Sequence, residues 1–158
     1  VGLLAEAAGA FKGMVAGQML DLTPADNLNT LAAEQLINRI EEMKTGCLIR
    51  YACEAGAVLG GADAARRQAL ITYSRKIGTA FQIADDILDI EGSPELMGKT
   101  LGKDQQQNKL TFINLYGLDA AKQMAGRLIN EAKQSLQIFG TAAETLSSLA
   151  DFIIRRSV

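Results

Sequence analysis

The chain has 158 residues, 48% of them hydrophobic, with 2 Pro and no Trp, which suits one domain able to bury a sizeable core. Its 16 basic and 18 acidic residues leave a net charge of −2, against the basic stripe a nucleic-acid surface favours. It contains no His, which removes His-based catalysis and His-ligated zinc, and no uncharged apolar run is long enough for a membrane helix.

Residues 2–21 place Leu3, Leu4, Ala7, Ala8, Phe11, Met14, Val15 and Met19 at helical spacing. Thr23-Pro24 breaks that pattern. A long apolar-periodic stretch, one helix or two, runs from about Asn29-Thr30 to Gly60-Gly61. Asp63 is placed to cap the next helix, which reaches about Ile90. Glu91 to Lys109 reads as a loop, followed by helices over about 111–138 and 142–156 with Gly140-Thr141 between them. Strand-like alternation, internal repeats and low-complexity tracts are absent, so the expected class is all-α, a helical bundle. Gly9, Gly13, Gly17, Gly46, Gly56 and Gly78 fall inside helical stretches. Each costs up to about 1 kcal/mol relative to Ala, and close helix approach is the expected reason for Gly9, Gly13, Gly56 and Gly78. Cys47 and Cys53 are six apart on a helix, poorly aimed for a disulfide and unlike a zinc pattern. They read as reduced thiols of a cytoplasmic protein.

The most informative segment is Phe81-Gln82-Ile83-Ala84-Asp85-Asp86-Ile87-Leu88-Asp89-Ile90. Asp85 and Asp89 stand four apart and project from one face of the helix. Like charges at that spacing destabilise a helix unless a cation lies between them. A hard divalent ion fits, because Mg2+ takes one or two carboxylates together with substrate phosphates. A solvated acidic turn on an amphipathic helix would carry the same residues. Downstream, Gly98-Lys99-Thr100-Leu101-Gly102-Lys103-Asp104 and Lys109-Leu110-Thr111 supply three lysines and two glycines. Glycine lets backbone approach a ligand closely and lysine offers a flexible point charge for phosphate. An acidic metal site joined to a basic loop matches the needs of a diphosphate–Mg2+ complex; an ordinary charged surface connection is the other reading. The spacing is not that of a P-loop.

FQIADDILD followed by GKTLGKDQQQNKLT resembles the second aspartate-rich region of the trans-isoprenyl diphosphate synthases, with its basic loop. Gly17-Gln18-Met19-Leu20-Asp21-Leu22 is similar to that family's GQxxDL segment, and Lys44-Thr45-Gly46 to its Lys-Thr segment. Leu149-Ala150-Asp151-Phe152-Ile153-Ile154-Arg155-Arg156 resembles the C-terminus of bacterial farnesyl diphosphate synthases. The four motifs occur in the family's order and span essentially the whole chain. The first aspartate-rich motif, the Arg-containing segment after it and the basic region for isopentenyl diphosphate have no counterpart. Residues 1–158 therefore read as a single domain, the C-terminal half of a synthase, expected to be inactive alone and to self-associate through uncovered apolar faces. Met43 stands where bacterial relatives often have His, and Leu110 where a small residue is usual.

The resemblance implies a prenyltransferase that joins isopentenyl diphosphate to an allylic diphosphate, dimethylallyl or geranyl, giving farnesyl diphosphate with Mg2+ as cofactor. Carried over residue by residue, Asp85 and Asp89 become metal ligands, with Asp86 a weaker candidate. Lys44, Lys99 and Lys109 would bind the allylic diphosphate, Thr45 and Gln82 would place oxygens near the allylic cation, and Phe81 would pack beneath the chain. Lys103 and Asp104 are less certain members, and Gln18 and Asp21 are expected to hold helices together. Gly17 and Gly46 are expected to leave room for a substrate chain. The family also implies a homodimer, without nucleic acid or membrane span. A non-catalytic partner subunit and a terpene cyclase remain alternatives, less favoured because both the acidic and the basic motifs are intact.

Overall fold

The computed structural model describes residues 1–23, 29–91 and 110–156. It is all helical among these residues, as the sequence predicts, and its helices are α1 (Gly2–Ala8), α2 (Met14–Asp21), α3 (Thr30–Glu41), α4 (Cys47–Leu59), α5 (Ala64–Glu91), α6 (Phe112–Tyr116), α7 (Leu118–Ser135) and α8 (Glu144–Arg155). The π-helical turn Glu42–Gly46 joins α3 to α4, and a 3-10 segment, Leu136–Ala143, joins α7 to α8.

Several boundaries follow from local chemistry. The Asn29 side chain accepts a hydrogen bond from the Ala32 N–H at 2.9 Å, and Asp63 Oδ1 accepts from the Arg66 N–H at 2.8 Å. Both satisfy N–H groups that the first turn of a helix leaves without a partner. Thr111 caps α6 in the same way, accepting from the Asn114 N–H at 3.1 Å. Two expected helices are broken. Residues 2–21 divide at 9–13, where a Cβ on Gly13 would lie 2.3 Å from the Glu6 carbonyl oxygen. The stretch after Thr111 divides at Gly117, whose φ of 83° is a left-handed conformation that glycine adopts without steric penalty. Apolar periodicity runs through both breaks, which is why the pattern alone conceals them.

Helix α5 is the central strut, packed by α4, α7 and α8. Along one side Tyr73, Ile77, Ala80 and Ala84 meet Ile129 and Ala132 of α7 and Ala150 and Ile153 of α8. Farther along, Ile83 of α5 joins Ile37 of α3, Phe112 and Ile113 of α6, and Ala121 and Ala125 of α7. Buried alanines recur across the α5–α7 contact, and small side chains bring helix axes towards the short end of the usual 8–10 Å. The Tyr73 hydroxyl donates to the Leu146 carbonyl at 2.7 Å, and burial pushes its pKa up to about 12. A two-oxygen ion pair, Lys133 to Asp151 at 2.7 and 2.9 Å, fastens α7 to α8. Among the described residues no helix is long and apolar enough to cross a membrane.

Candidate functional site

The acidic residues occupy the last two turns of α5. At about 100° of rotation per residue, Asp85, Asp89, Gln82 and Asp86 fall within one stripe roughly 100° wide. Burial then separates them: Gln82, Asp86 and Asp89 are 7%, 7% and 8% exposed, whereas the Asp85 side chain is 49% exposed. The two faces flanking the stripe are apolar, with Ile83, Ile87 and Ile90 turned into the α6–α7 core. Core packing on the flanks fixes the rotation of α5 that presents the acids.

Facing the stripe is the π-helical turn, which carries Lys44 and Thr45. Single π-turns inside α-helices recur at functional sites, because the extra residue displaces side chains from regular helical register. Thr45 Oγ1 donates to Gln82 Oε1 at 3.2 Å, tying the turn to the centre of the acidic stripe. The Lys44 ammonium donates to Asp21 Oδ2 at 2.6 Å. Asp21 is the last residue of α2, so its expected role of holding helices together takes the form of an ion pair with the candidate diphosphate lysine.

Gly17 makes that ion pair possible. A Cβ at this position would lie 2.2 Å from the Lys44 nitrogen and 2.7 Å from both the Lys44 Cα and the Met43 carbonyl carbon. The expectation that Gly17 leaves room for a substrate chain is thus corrected: backbone of the π-turn fills the space. At Gly46 the nearest atom to an added Cβ is the Glu41 carbonyl oxygen at 3.3 Å, and a Cβ added to Gly78 of α5 would lie 3.5 Å from Gly46 Cα. Gly56 departs from expectation in the other direction. No atom lies within 4 Å of its missing Cβ, and the residue lines an open groove.

On the other flank, Arg156 reaches Asp85 from the end of α8. Its Nη2 donates to Asp85 Oδ1 at 3.2 Å, and its guanidinium carbon lies 4.2 Å from the centroid of the Phe81 ring. Asp85 and Phe81 are one turn apart on α5, so one arginine spans both. Although the arginine belongs to the C-terminal motif, periodicity gave no sign that it meets the acidic helix; the pairing bridges 71 positions of sequence. Behind Arg156 an apolar groove of about 950 Å3 runs between α4, α5 and the 3-10 segment with α8, with Ile49, Tyr73, Phe139 and Phe152 on its walls. Lys99, Lys103, Asp104 and Lys109 lie outside the described residues.

The stripe's donor set is oxygen only and suits a hard cation. Among the described residues no three Asp, Glu, His or Cys side chains converge to hold an ion by themselves. The stripe can offer one or two carboxylates to a metal such as Mg2+, whose remaining ligands are water and phosphate oxygens. Asp85 and Asp89 have the right chemistry for this role, and Asp86 adds negative charge beside them. The two thiols lie apart from this chemistry. Burial raises the pKa of both Cys47 and Cys53, with Arg50 partly offsetting the effect at Cys47. Cys47 Sγ donates to the Lys12 carbonyl at 3.3 Å. These are features of structural rather than reactive cysteines.

Comparison with known proteins supplies the rest. The Polyprenyl synthetase family model matches residues 2–146. The chain is 43% identical to a farnesyl diphosphate synthase of Escherichia coli, over 98% of the chain and 52% of the relative. It is 40% identical to a dimethylallyltranstransferase of Fischerella ambigua, over 99% and 44% respectively. A geranylgeranyl diphosphate synthase of Cyanophora paradoxa is 37% identical over 92% and 48%. Among solved structures, a polyprenyl synthase of Caulobacter crescentus, complexed with calcium and isoprenyl diphosphate, superposes with a TM-score of 0.84 at 29% identity, covering 99% of this chain and 58% of that one. The apo FPP/GFPP synthase of Zymomonas mobilis gives 0.76 at 37% identity, covering 96% and 49%. The chain spans about half the length of the curated relatives it matches.

Proposed function

This chain belongs to the polyprenyl synthetase family, and we propose that it carries the acidic, allylic-diphosphate side of a prenyltransferase that joins isopentenyl diphosphate to dimethylallyl or geranyl diphosphate to form farnesyl diphosphate. The observation that carries this reading is the Thr45–Gln82 hydrogen bond, which sets the lysine-bearing π-turn beside the acidic stripe of α5.

In this reading Asp85 and Asp89, with Asp86 beside them, hold Mg2+, which supplies charge neutralisation for a departing diphosphate. Lys44 binds a diphosphate oxygen, and its contact with Asp21 holds the ammonium in place while the ligand is absent. Lys99 and Lys109 add positive charge from the segment that follows α5 in the sequence. These cations act where negative charge grows on the leaving oxygens, and preorganised charge contributes most there. Thr45 and Gln82 direct oxygen dipoles towards the allylic carbons, and Phe81 packs against the hydrocarbon. The double bond of isopentenyl diphosphate attacks the allylic carbon as the carbon–oxygen bond breaks, and loss of a proton restores the alkene.

The farnesyl product is supported by the GQMLDL segment and by the E. coli relative. The geranylgeranyl relative is the reason product length needs direct measurement. Two free thiols support a cytoplasmic setting. An exposed stripe of Val15, Met19 and Leu22 along α2 supports a homodimer.

The test is Asp85→Ala in the intact enzyme, assayed for elongation with product chain lengths resolved. Turnover should fall by orders of magnitude, with the far-UV circular dichroism spectrum and melting temperature essentially kept. Wild-type turnover at saturating Mg2+ would remove Asp85 from the metal site, and a C20 main product from the unmutated enzyme would overturn the farnesyl assignment.

A further inference from the structure

We infer that Arg156 is a positioning residue for Asp85: it holds one carboxylate oxygen so that the other is presented to the metal. The inference rests on the reading of Asp85 as a metal ligand and adds a residue to that site. Three observations carry it. The Nη2–Oδ1 hydrogen bond of 3.2 Å engages Oδ1 of Asp85 and, among the described residues, leaves Oδ2 without a hydrogen bond. The arginine is also better buried than the carboxylate it holds, with its side chain 21% exposed against 49% for Asp85. Finally, its guanidinium is seated over the Phe81 ring at 4.2 Å, and its backbone N–H is bonded to the Phe152 carbonyl at 2.9 Å. The guanidinium is therefore seated on the ring, and the main chain that carries it is held to the end of α8, independently of Asp85. A solvated surface pair has neither support.

The electrostatics agree. Asp85, Asp86 and Asp89 repel one another across one turn, and a fixed cation on the outer flank offsets part of that repulsion while no metal is bound. When a ligating carboxylate accepts a hydrogen bond on its other oxygen, its orientation is set in advance. Losing such a partner typically weakens metal binding about 10- to 100-fold. Guanidinium suits the task because it stays protonated and is planar enough to stack on Phe81 while donating sideways to Asp85. Arg156 thus couples the end of α8 to the acidic turn of α5, and Phe81 and Asp85 are held in one arrangement.

The experiment uses the intact enzyme and follows Mn2+ binding by electron paramagnetic resonance in the presence of inorganic pyrophosphate. Arg156→Ala should weaken Mn2+ binding about tenfold, and Arg156→Lys should recover part of the loss. In an Asp85→Ala background, Arg156→Ala should have no further effect. Tighter Mn2+ binding in Arg156→Ala would overturn the inference by showing that the arginine competes with the metal. Unchanged binding would reduce the contact to a passive surface pair. If Asp85→Ala itself leaves Mn2+ binding intact, the metal assignment fails and this inference fails with it. If Asp85→Ala abolishes binding while Arg156→Ala is silent, only the role of Arg156 is lost. Arg156→Lys keeps the charge and stem, so it separates loss of positioning from disorder at the end of α8.

Discussion

Gly17→Ala places a methyl group where the structure has backbone. The added carbon would sit 2.2 Å from the Lys44 nitrogen, and ordinary contact begins at 3.4 Å, so α2 and the π-turn must part by about 1.2 Å (3.4 less 2.2). The atoms in the way are main-chain atoms of a hydrogen-bonded turn, which cannot swing aside like the end of a side chain. Overpacking of this kind typically costs about 1–3 kcal/mol. The better helix propensity of Ala returns at most about 1 kcal/mol. Because the clash is with main-chain atoms the upper part of that range, about 2–3 kcal/mol, applies, and the net loss should be about 1–2 kcal/mol, or a fall in melting temperature of several degrees for a protein of this size. The same displacement separates Asp21 from Lys44, now 2.6 Å apart. Misplacing a binding group by about 1 Å can lower turnover as much as 100-fold. Calorimetry with steady-state kinetics on the intact enzyme measures both effects, and a double-mutant cycle between Asp21 and Lys44 reports the pair directly. A Gly17→Ala protein with an unchanged melting temperature and an undiminished Asp21–Lys44 coupling would refute the argument.

Other consequences follow from the same geometry. Tyr73→Phe should destabilise by about 0.5–1.5 kcal/mol, because the Leu146 carbonyl loses its donor; chemical denaturation measures it, and an unchanged midpoint would count against a stabilising role for the bond. The Tyr73 pKa is raised to about 12 in the fold against a reference value of 10, so its contribution is full below pH 10 and is lost as pH rises towards 12. Alkaline unfolding in that window should be blunted in Tyr73→Phe, and identical alkaline profiles for the two proteins would contradict the assignment. If the proposed function holds, Lys99→Ala and Lys109→Ala should raise KM for the allylic substrate or slow its ionisation while scarcely changing KM for isopentenyl diphosphate; equal losses for both substrates would count against the assignment. Residues 1–158 expressed alone should associate in sedimentation and fail to elongate, since Phe11, Met19 and Leu22 are 96%, 63% and 69% exposed. An active monomer would contradict that expectation.

What the amino-acid sequence determined by itself was whatever depends on neighbours a few positions apart. Helical periodicity specified an all-α chain, and the four-residue spacing of Asp85 and Asp89 placed both on one face of α5. Asp63 announced the start of that helix, because capping is a contact across three residues. Tertiary structure decided everything that depends on distance across the fold. Lys44 and Thr45 read as part of an apolar-periodic helix, yet they sit in a π-turn whose register is set by α2 pressing on it through Gly17. Which face Gly17 serves is invisible to periodicity, since a missing side chain looks the same whether backbone or substrate fills the gap. Asp85 and Asp89 read as an equivalent pair, with Asp86 the weaker candidate. Burial against neighbouring helices left Asp85 open and enclosed Asp86 and Asp89. Arg156 could be assigned to Asp85 only after α8 had folded back along α5, because a separation of 71 positions carries no local signal of that contact. Short-range geometry is written in residue spacing, whereas the partners of a charged group depend on which surfaces the hydrophobic core brings together.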